Sequence, residues 1–128
     1  MRKRIILDTD VLVDFFHSQK YAKDIISEIL EKGIAYISIL SVAELRAGFT
    51  KQQAELLLPK LYKMAVIVNL SVGIAELAGK FRFEYGSKGK TLSTVDTLIA
   101  ATAIIDDLQL VTRNKKDFPM PQLILYPL

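Results

Sequence analysis

Two rhythms of apolar residues alternate along the chain. Residues 4–7, 34–39, 65–70 and 108–112 are short, branched, apolar runs, the pattern of buried strands. Between them apolar residues return at helical spacing. Val11, Leu12, Phe15 and Phe16 mark one face over residues 9–16. Ala22, Ile25, Ile26, Ile29 and Leu30 mark the next helix, and Gly33 supplies a stop. Residues 41–48 read as a short helix with its own start and stop signals. Residues 52–64 are helix-like but carry Pro59. Proline inside a helix loses a hydrogen bond and clashes with the preceding turn, so a kink or break is expected there. Ile74, Leu77, Ala78, Phe81 and Tyr85 mark another helical face, residues 86–89 a loop, and residues 93–106 an alanine-rich helix. Residues 123–125 are a candidate fifth strand. Strands alternating with helices imply an α/β fold with a mainly parallel sheet. No repeat, linker or low-complexity tract interrupts the pattern, so residues 1–128 read as one domain.

Ligands of such sheets collect beyond the carboxyl ends of the strands. Four acids stand at the starts of candidate elements: Asp8, Glu44, Asp96 and Asp117. Each has an ordinary explanation. Asp8 is a good helix N-cap. Ser41-x-x-Glu44 and Ser93-x-x-Asp96 fit a capping box, closely and loosely. Asn114-x-x-Asp117 fits turn chemistry. The conjunction suggests more. Four carboxylates gathered at one sheet edge repel one another and raise some pKa values unless a cation is present. Mg²⁺ or Mn²⁺ suits that role, being hard and oxygen-loving. Asp10 has the spacing to face the same pocket, or to stabilise the helix N-terminus. Asp14 is expected on the exposed face as a solvated charge. His17 is the only histidine and reads as a surface or capping residue. Ala100 and Ala103, on the Asp96 side of their helix, leave room for a neighbouring element.

Composition narrows the function classes. There is no cysteine, which excludes disulfides and thiolate metal sites. Apolar stretches are broken by charges before a membrane span is reached, and residues 5–7 are too short for a signal-peptide core. A cytoplasmic location is therefore expected. The net charge of +3 permits nucleic-acid contact without demanding it. Positive charge clusters at residues 2–4, at Lys88 and Lys90, and at Arg113, Lys115 and Lys116.

Four segments carry a family resemblance. Leu7-Asp8-Thr9-Asp10-Val11-Leu12-Val13-Asp14 resembles the opening strand–helix motif of PIN domains. Ser41-Val-Ala-Glu44-Leu-Arg-Ala-Gly48 resembles their Ser-x-x-Glu-Leu-x-x-Gly helix. Asp96-Thr-Leu-Ile-Ala100-Ala101 resembles their Asp-x-x-Ile-Ala-Ala helix, and Thr112-Arg-Asn114-Lys-Lys-Asp117-Phe118 their closing segment. The segments run in order over essentially the whole chain and are most similar to VapC-type ribonuclease toxins of prokaryotic toxin–antitoxin pairs. Asp10 departs from the asparagine many members carry, and Asn114 stands where some place another acid.

The resemblance implies a PIN-like three-layer α/β/α sandwich with a central, mainly parallel four- to five-stranded sheet. It implies a Mg²⁺- or Mn²⁺-dependent endoribonuclease, with Asp8 and Asp96 as foremost metal ligands and Glu44 and Asp117 completing the shell. Thr112 and Asn114 would be polar neighbours. Arg113, Lys115, Lys116, Lys88 and Lys90 would flank the acids and receive the RNA backbone. It further implies a homodimer inhibited by a VapB-like antitoxin, for which an apolar groove accepting a helix is one physical means. The stretch Leu56, Leu57, Leu58, Leu61 and Tyr62 could serve core and interface together. Two other readings compete. A non-catalytic PIN-like scaffold would bind RNA or protein without cleaving. A phospho-acceptor domain would need a lysine after a later strand, and none stands convincingly there.

Overall fold

The computed structural model describes residues 2–128; Met1, which opens the basic start, lies outside the described residues. The elements follow in the order β1 (Lys3–Leu7), α1 (Thr9–Phe16), α2 (Lys20–Lys32), β2 (Gly33–Ser38), α3 (Ile39–Gly48), α4 (Lys51–Met64), β3 (Val66–Val68), α5 (Val72–Ser87), α6 (Thr94–Ile105) and β4 (Gln109–Val111). The strands form one sheet in the order β3-β2-β1-β4, with every pairing parallel. The expected fifth strand is reduced to a single parallel bridge between Leu110 and Leu125.

Alternation along β1 separates the layers. Ile5 and Leu7 point to one face, where they pack with Ala35, Ile37 and Val111 against α1 to α4. Ile6 points to the other, joining Leu110, Phe81, Ile99, Ala100 and Ala103 of α5 and α6. The result is an α/β/α sandwich. Central β1 is apolar throughout its buried part because both its faces are covered.

Two local expectations change. No break occurs at Pro59; α4 runs through it. The hydrogen bond that proline forfeits would have reached the carbonyl of Glu55, on the exposed side of the helix, where water can replace it. Gly33 does end α2, but its main constraint is the next strand. A Cβ there would lie 2.3 Å from the Lys3 carbonyl oxygen, so only glycine lets β2 approach β1 so closely. No described helix is long and apolar enough to cross a membrane.

Candidate active site

Strand register creates the site. Leu7 pairs with Val111 and Ile6 with Tyr36. Extending both registers brings Asp8, Ser38 and Thr112 level at the carboxyl edge of the sheet. Asp8 continues the ladder by donating its N–H to the Val111 carbonyl at 3.0 Å. Its carboxylate is therefore carried into a nearly closed position, 4% exposed. One oxygen accepts the Thr9 N–H at 2.8 Å, capping α1, and the other accepts the Thr112 hydroxyl at 2.8 Å. These donors favour the charged form, but burial outweighs them. Desolvation first, then the nearby charges of Asp10 and Asp96, push the Asp8 carboxyl up to about 6.

Glu44 is aimed by a second set of bonds. The Thr9 hydroxyl donates to Glu44 Oε1 at 2.7 Å and lies 2.8 Å from the hydroxyl of fully buried Ser41. Thr9 has one hydroxyl proton, so with that proton on Glu44 the Ser41 hydroxyl donates to Thr9. This corrects the capping-box reading of Ser41. Helix α3 begins three residues earlier than Ser41's cap position requires: Ser38 is its N-cap, accepting the Leu40 N–H at 3.1 Å. Ser41 falls inside the first turn and faces α1 instead.

Asp96 and Asp117 complete the group from the other side. Ser93 caps α6 and accepts the Asp96 N–H at 3.0 Å, as its spacing suggests. Ala100 and Ala103 are buried under this helix and let it sit close to the sheet. Half-buried Asp96 has its carboxyl raised, first by desolvation and then, against a hydrogen bond from Ser93, by the charges of Asp117, Asp10 and Glu44. The same field thus links all five acids. Asp117 ends a single 3-10 turn, Lys115–Asp117, whose Asp117 N–H bonds the Asn114 carbonyl at 2.9 Å.

The loop between β4 and that turn shows what sequence reasoning missed. Thr112, Arg113 and Asn114 each donate to an acid of the β1–α1 unit: Asp8, Asp14 and Asp10 respectively. Asp14 is not a solvated charge. It is 8% exposed, accepting from Arg113 at 2.8 Å and from the Tyr21 hydroxyl. Burial first, and then that bond to Asp14, push the Tyr21 hydroxyl up to about 12. Asp14 follows Asp10 by four residues on α1, but its arginine partner lies 99 residues away, so no local signal marks the pairing. Of the expected basic flank, Lys115 and Lys116 are exposed beside the acids, whereas Arg113 is committed to Asp14. Residues 2–4 lie at the opposite, amino edge of the sheet, where Arg4 bonds the Asp106 carbonyl at 2.9 Å. His17 is an exposed C-cap.

The donors gathered at this edge are all oxygens, the kind that hard divalent cations take. Among the described residues, no three Asp, Glu or His side chains stand close enough to form a ready-made ligand group.

Fold and site together define an α/β/α domain with electrostatically coupled carboxylates at the carboxyl edge of a parallel sheet. The PIN domain family model matches residues 5–119. Ribonuclease VapC19 of Mycobacterium tuberculosis is 33% identical over 118 residues, spanning 90% of this chain and 92% of that protein. Ribonuclease VapC2 of Rickettsia felis is 32% identical over 128 residues, spanning 94% of each. The crystal structure of VapBC2 from Rickettsia felis bound to a promoter DNA fragment superposes with a TM-score of 0.83 at 27% identity, covering 95% of this chain and 96% of that one. A toxin–antitoxin complex from Klebsiella pneumoniae gives 0.75 at 31% identity, covering 97% and 99%. The chain belongs to the PIN-domain family, in its VapC-type branch.

Proposed function

We propose that the chain is a Mg²⁺- or Mn²⁺-dependent endoribonuclease, the toxin of a toxin–antitoxin pair. The single observation that carries the reading is the convergence of Asp8, Asp10, Glu44, Asp96 and Asp117 in one field at the sheet edge. Carboxylates that repel one another this way, two of them raised by burial, are poised for a cation. Asp8 and Asp96 would hold it, with Glu44 and Asp117 contributing directly or through water. A bound divalent ion supplies charge relief on the phosphodiester and lowers the pKa of a coordinated water. The chain's residues supply the rest. Thr9 and Thr112 fix the two tied carboxylates in orientation. Glu44, oriented by the Thr9 hydroxyl, can accept a proton from an attacking water. Lys115 and Lys116 offset the repulsion between the acids and an RNA backbone, contacting phosphate without reading bases.

The antitoxin is proposed to dock in an apolar groove. Two clefts of about 310 and 170 Å³ share Phe16 and Leu57 and run between α1, α3 and α4. Glu44 lines the inner cleft, so an occupant of the groove would lie against the site. On α4, Leu57 and Leu61 line the groove while Leu56 and Tyr62 are exposed outside its lining, so only part of the α4 stretch faces the proposed partner. A homodimer is part of the same proposal, and light scattering checks it.

RNA cleavage measured with and without EDTA, and for Asp8→Ala and Asp96→Ala, tests the activity. Full activity in either variant, or in EDTA, overturns it. Metal binding with no cleavage of any RNA would favour the non-catalytic scaffold.

A further inference from the structure

We propose that Asp14 and Arg113 form a latch that positions Asn114 and Asp117, so that Arg113 serves the reaction through the loop and not by touching RNA. The inference rests on the ribonuclease reading for its catalytic consequence, though not for its structural one.

Asp14 lies one helical turn past Asp10, and its carboxylate is almost wholly withdrawn from solvent. A buried carboxylate needs partners. Both of its hydrogen bonds fall on one oxygen, Oδ2: Arg113 Nη1 at 2.8 Å and the Tyr21 hydroxyl. The Arg113 side chain remains half exposed, so its length is used to reach across the surface of α1. That reach places an anchor at the middle of the loop. On one side of it Thr112 bonds Asp8, and on the other Asn114 bonds Asp10. The 3-10 turn carrying Asp117 hangs from Asn114 by its own carbonyl. Beyond the turn, Phe118 is buried in the core. The turn is therefore held at both ends, by an apolar plug after Asp117 and by the latch before it. Thr112 and Asn114 have short side chains and act only once the loop is already against α1. The arginine is the one loop residue able to hold it there from a distance.

A guanidinium spent in this way contributes no free charge to RNA binding. That separates the latch from the alternative, in which Arg113 meets a phosphate. The test uses the full chain with Asp14→Asn, Arg113→Gln and the double variant. The double variant leaves no orphaned buried charge, so it keeps the comparison available if a single variant folds poorly. Backbone hydrogen exchange at Asp117 and Phe118 is measured without RNA or metal. The latch predicts about tenfold faster exchange there in each single variant, with β1 and β4 unchanged. The double variant should be no worse than the poorer single, the non-additivity of a coupled pair. For RNA cleavage at saturating divalent ion, kcat should fall on the order of tenfold in all three, with KM little changed. The dependence of RNA affinity on salt should keep its slope. Unchanged exchange overturns the latch. So does a raised KM confined to the Arg113 variants with the salt slope reduced by about one, the signature of a lost phosphate contact. Because exchange is read without substrate, a wild-type chain that cleaved no RNA would refute the nuclease reading while leaving the latch decided.

Discussion

Asp8 and Glu44 sit among protein donors, whereas Asp96 is bonded through its own capping Ser93 and no hydrogen bond among the described residues engages the Asp117 carboxylate. The first pair is aimed by Thr9 and Thr112, residues that the strand register delivers whether or not a cation is present. The second pair projects from the start of α6 and from a short surface turn, with only Ser93 opposing the repulsion at Asp96. The difference separates two ways of building a charged site. Hydrogen bonds fix direction but do not abolish the cost of burial, which is why Asp8 is pushed up to about 6 even with two donors. Among the described residues, Asp96 and Asp117 carry no tie to a distant element, although both are less exposed than Glu44, so what separates the arms is bonding and not solvent access.

The sharpest way to break this contrast is Asp8→Asn. Loss of a carboxylate from the fixed arm should lower kcat by about 10³-fold, an effect of about 4 kcal/mol on the barrier. Stability should move the other way. The folded carboxyl sits near 6, above its ordinary 3.8. Its favourable contribution is thus complete below about pH 4 and is lost as pH rises through 6. Removing the charge should therefore raise thermal stability at pH 7.5 by on the order of 2 kcal/mol and flatten the acid-side dependence. An Asp8→Asn protein that melts lower than wild type at pH 7.5 would show that the donors, not desolvation, dominate at this residue.

Thr9→Val tests the tie on Glu44. It removes the hydroxyl that holds Glu44 and orphans the buried Ser41 hydroxyl, at a cost of about 1–3 kcal/mol. We expect kcat to fall on the order of tenfold, with Thr9→Ser restoring most of it. Recovery with serine would confirm the hydroxyl; an equal loss with serine would point to packing of the methyl group.

Divalent ion sharpens the contrast through pH. Mg²⁺ at a hundred times its dissociation constant should stabilise the fold by about 2.7 kcal/mol. Because protons compete for Asp8, that gain should shrink as pH is lowered from 7.5 to 5. A melting-temperature increment independent of pH over that range would remove Asp8 from the ligand set.

The smallest effect belongs to the open arm. Ser93→Ala deletes a cap worth about 1 kcal/mol, a few degrees in melting temperature. Its influence on cleavage should be well below that of Thr9→Val, because Asp96 is not locked by Ser93 as Glu44 is by Thr9. A larger kinetic loss from Ser93→Ala would mean that the open arm is as rigidly organised as the fixed one.

Much of this architecture was legible beforehand, for reasons particular to each element. The apolar run at β1 and the helical spacing in α1 locate Asp8 at their junction, and a strand-to-helix junction is where an aspartate both caps and points outward. The Ser93–Asp96 spacing correctly marks the start of α6. The same spacing misled at Ser41, since a serine one turn earlier was also available as a cap and the hydrophobic pattern does not choose between them. The capping box that does form joins Thr50 with Gln53 at the start of α4, away from the acids. Asp14 was misplaced because helical periodicity ranks positions by their own polarity; nothing local announces that Arg113 will cover it.

By itself, then, the sequence determined the alternation of strands and helices and the parallel character of the sheet, and it named four acids as candidates, because these follow from local periodicity and from motifs in fixed order. Only the tertiary structure decided what holds those acids. The Thr112 bond to Asp8 spans 104 residues and the Thr9 bond to Glu44 spans 35. Such bonds depend on which strands become neighbours and in what register, and local propensity says nothing about either. The burial that raises Asp8 and the pairing that hides Asp14 arise the same way. Both are properties of surfaces brought together by packing, and they exist only once β1 lies between β2 and β4.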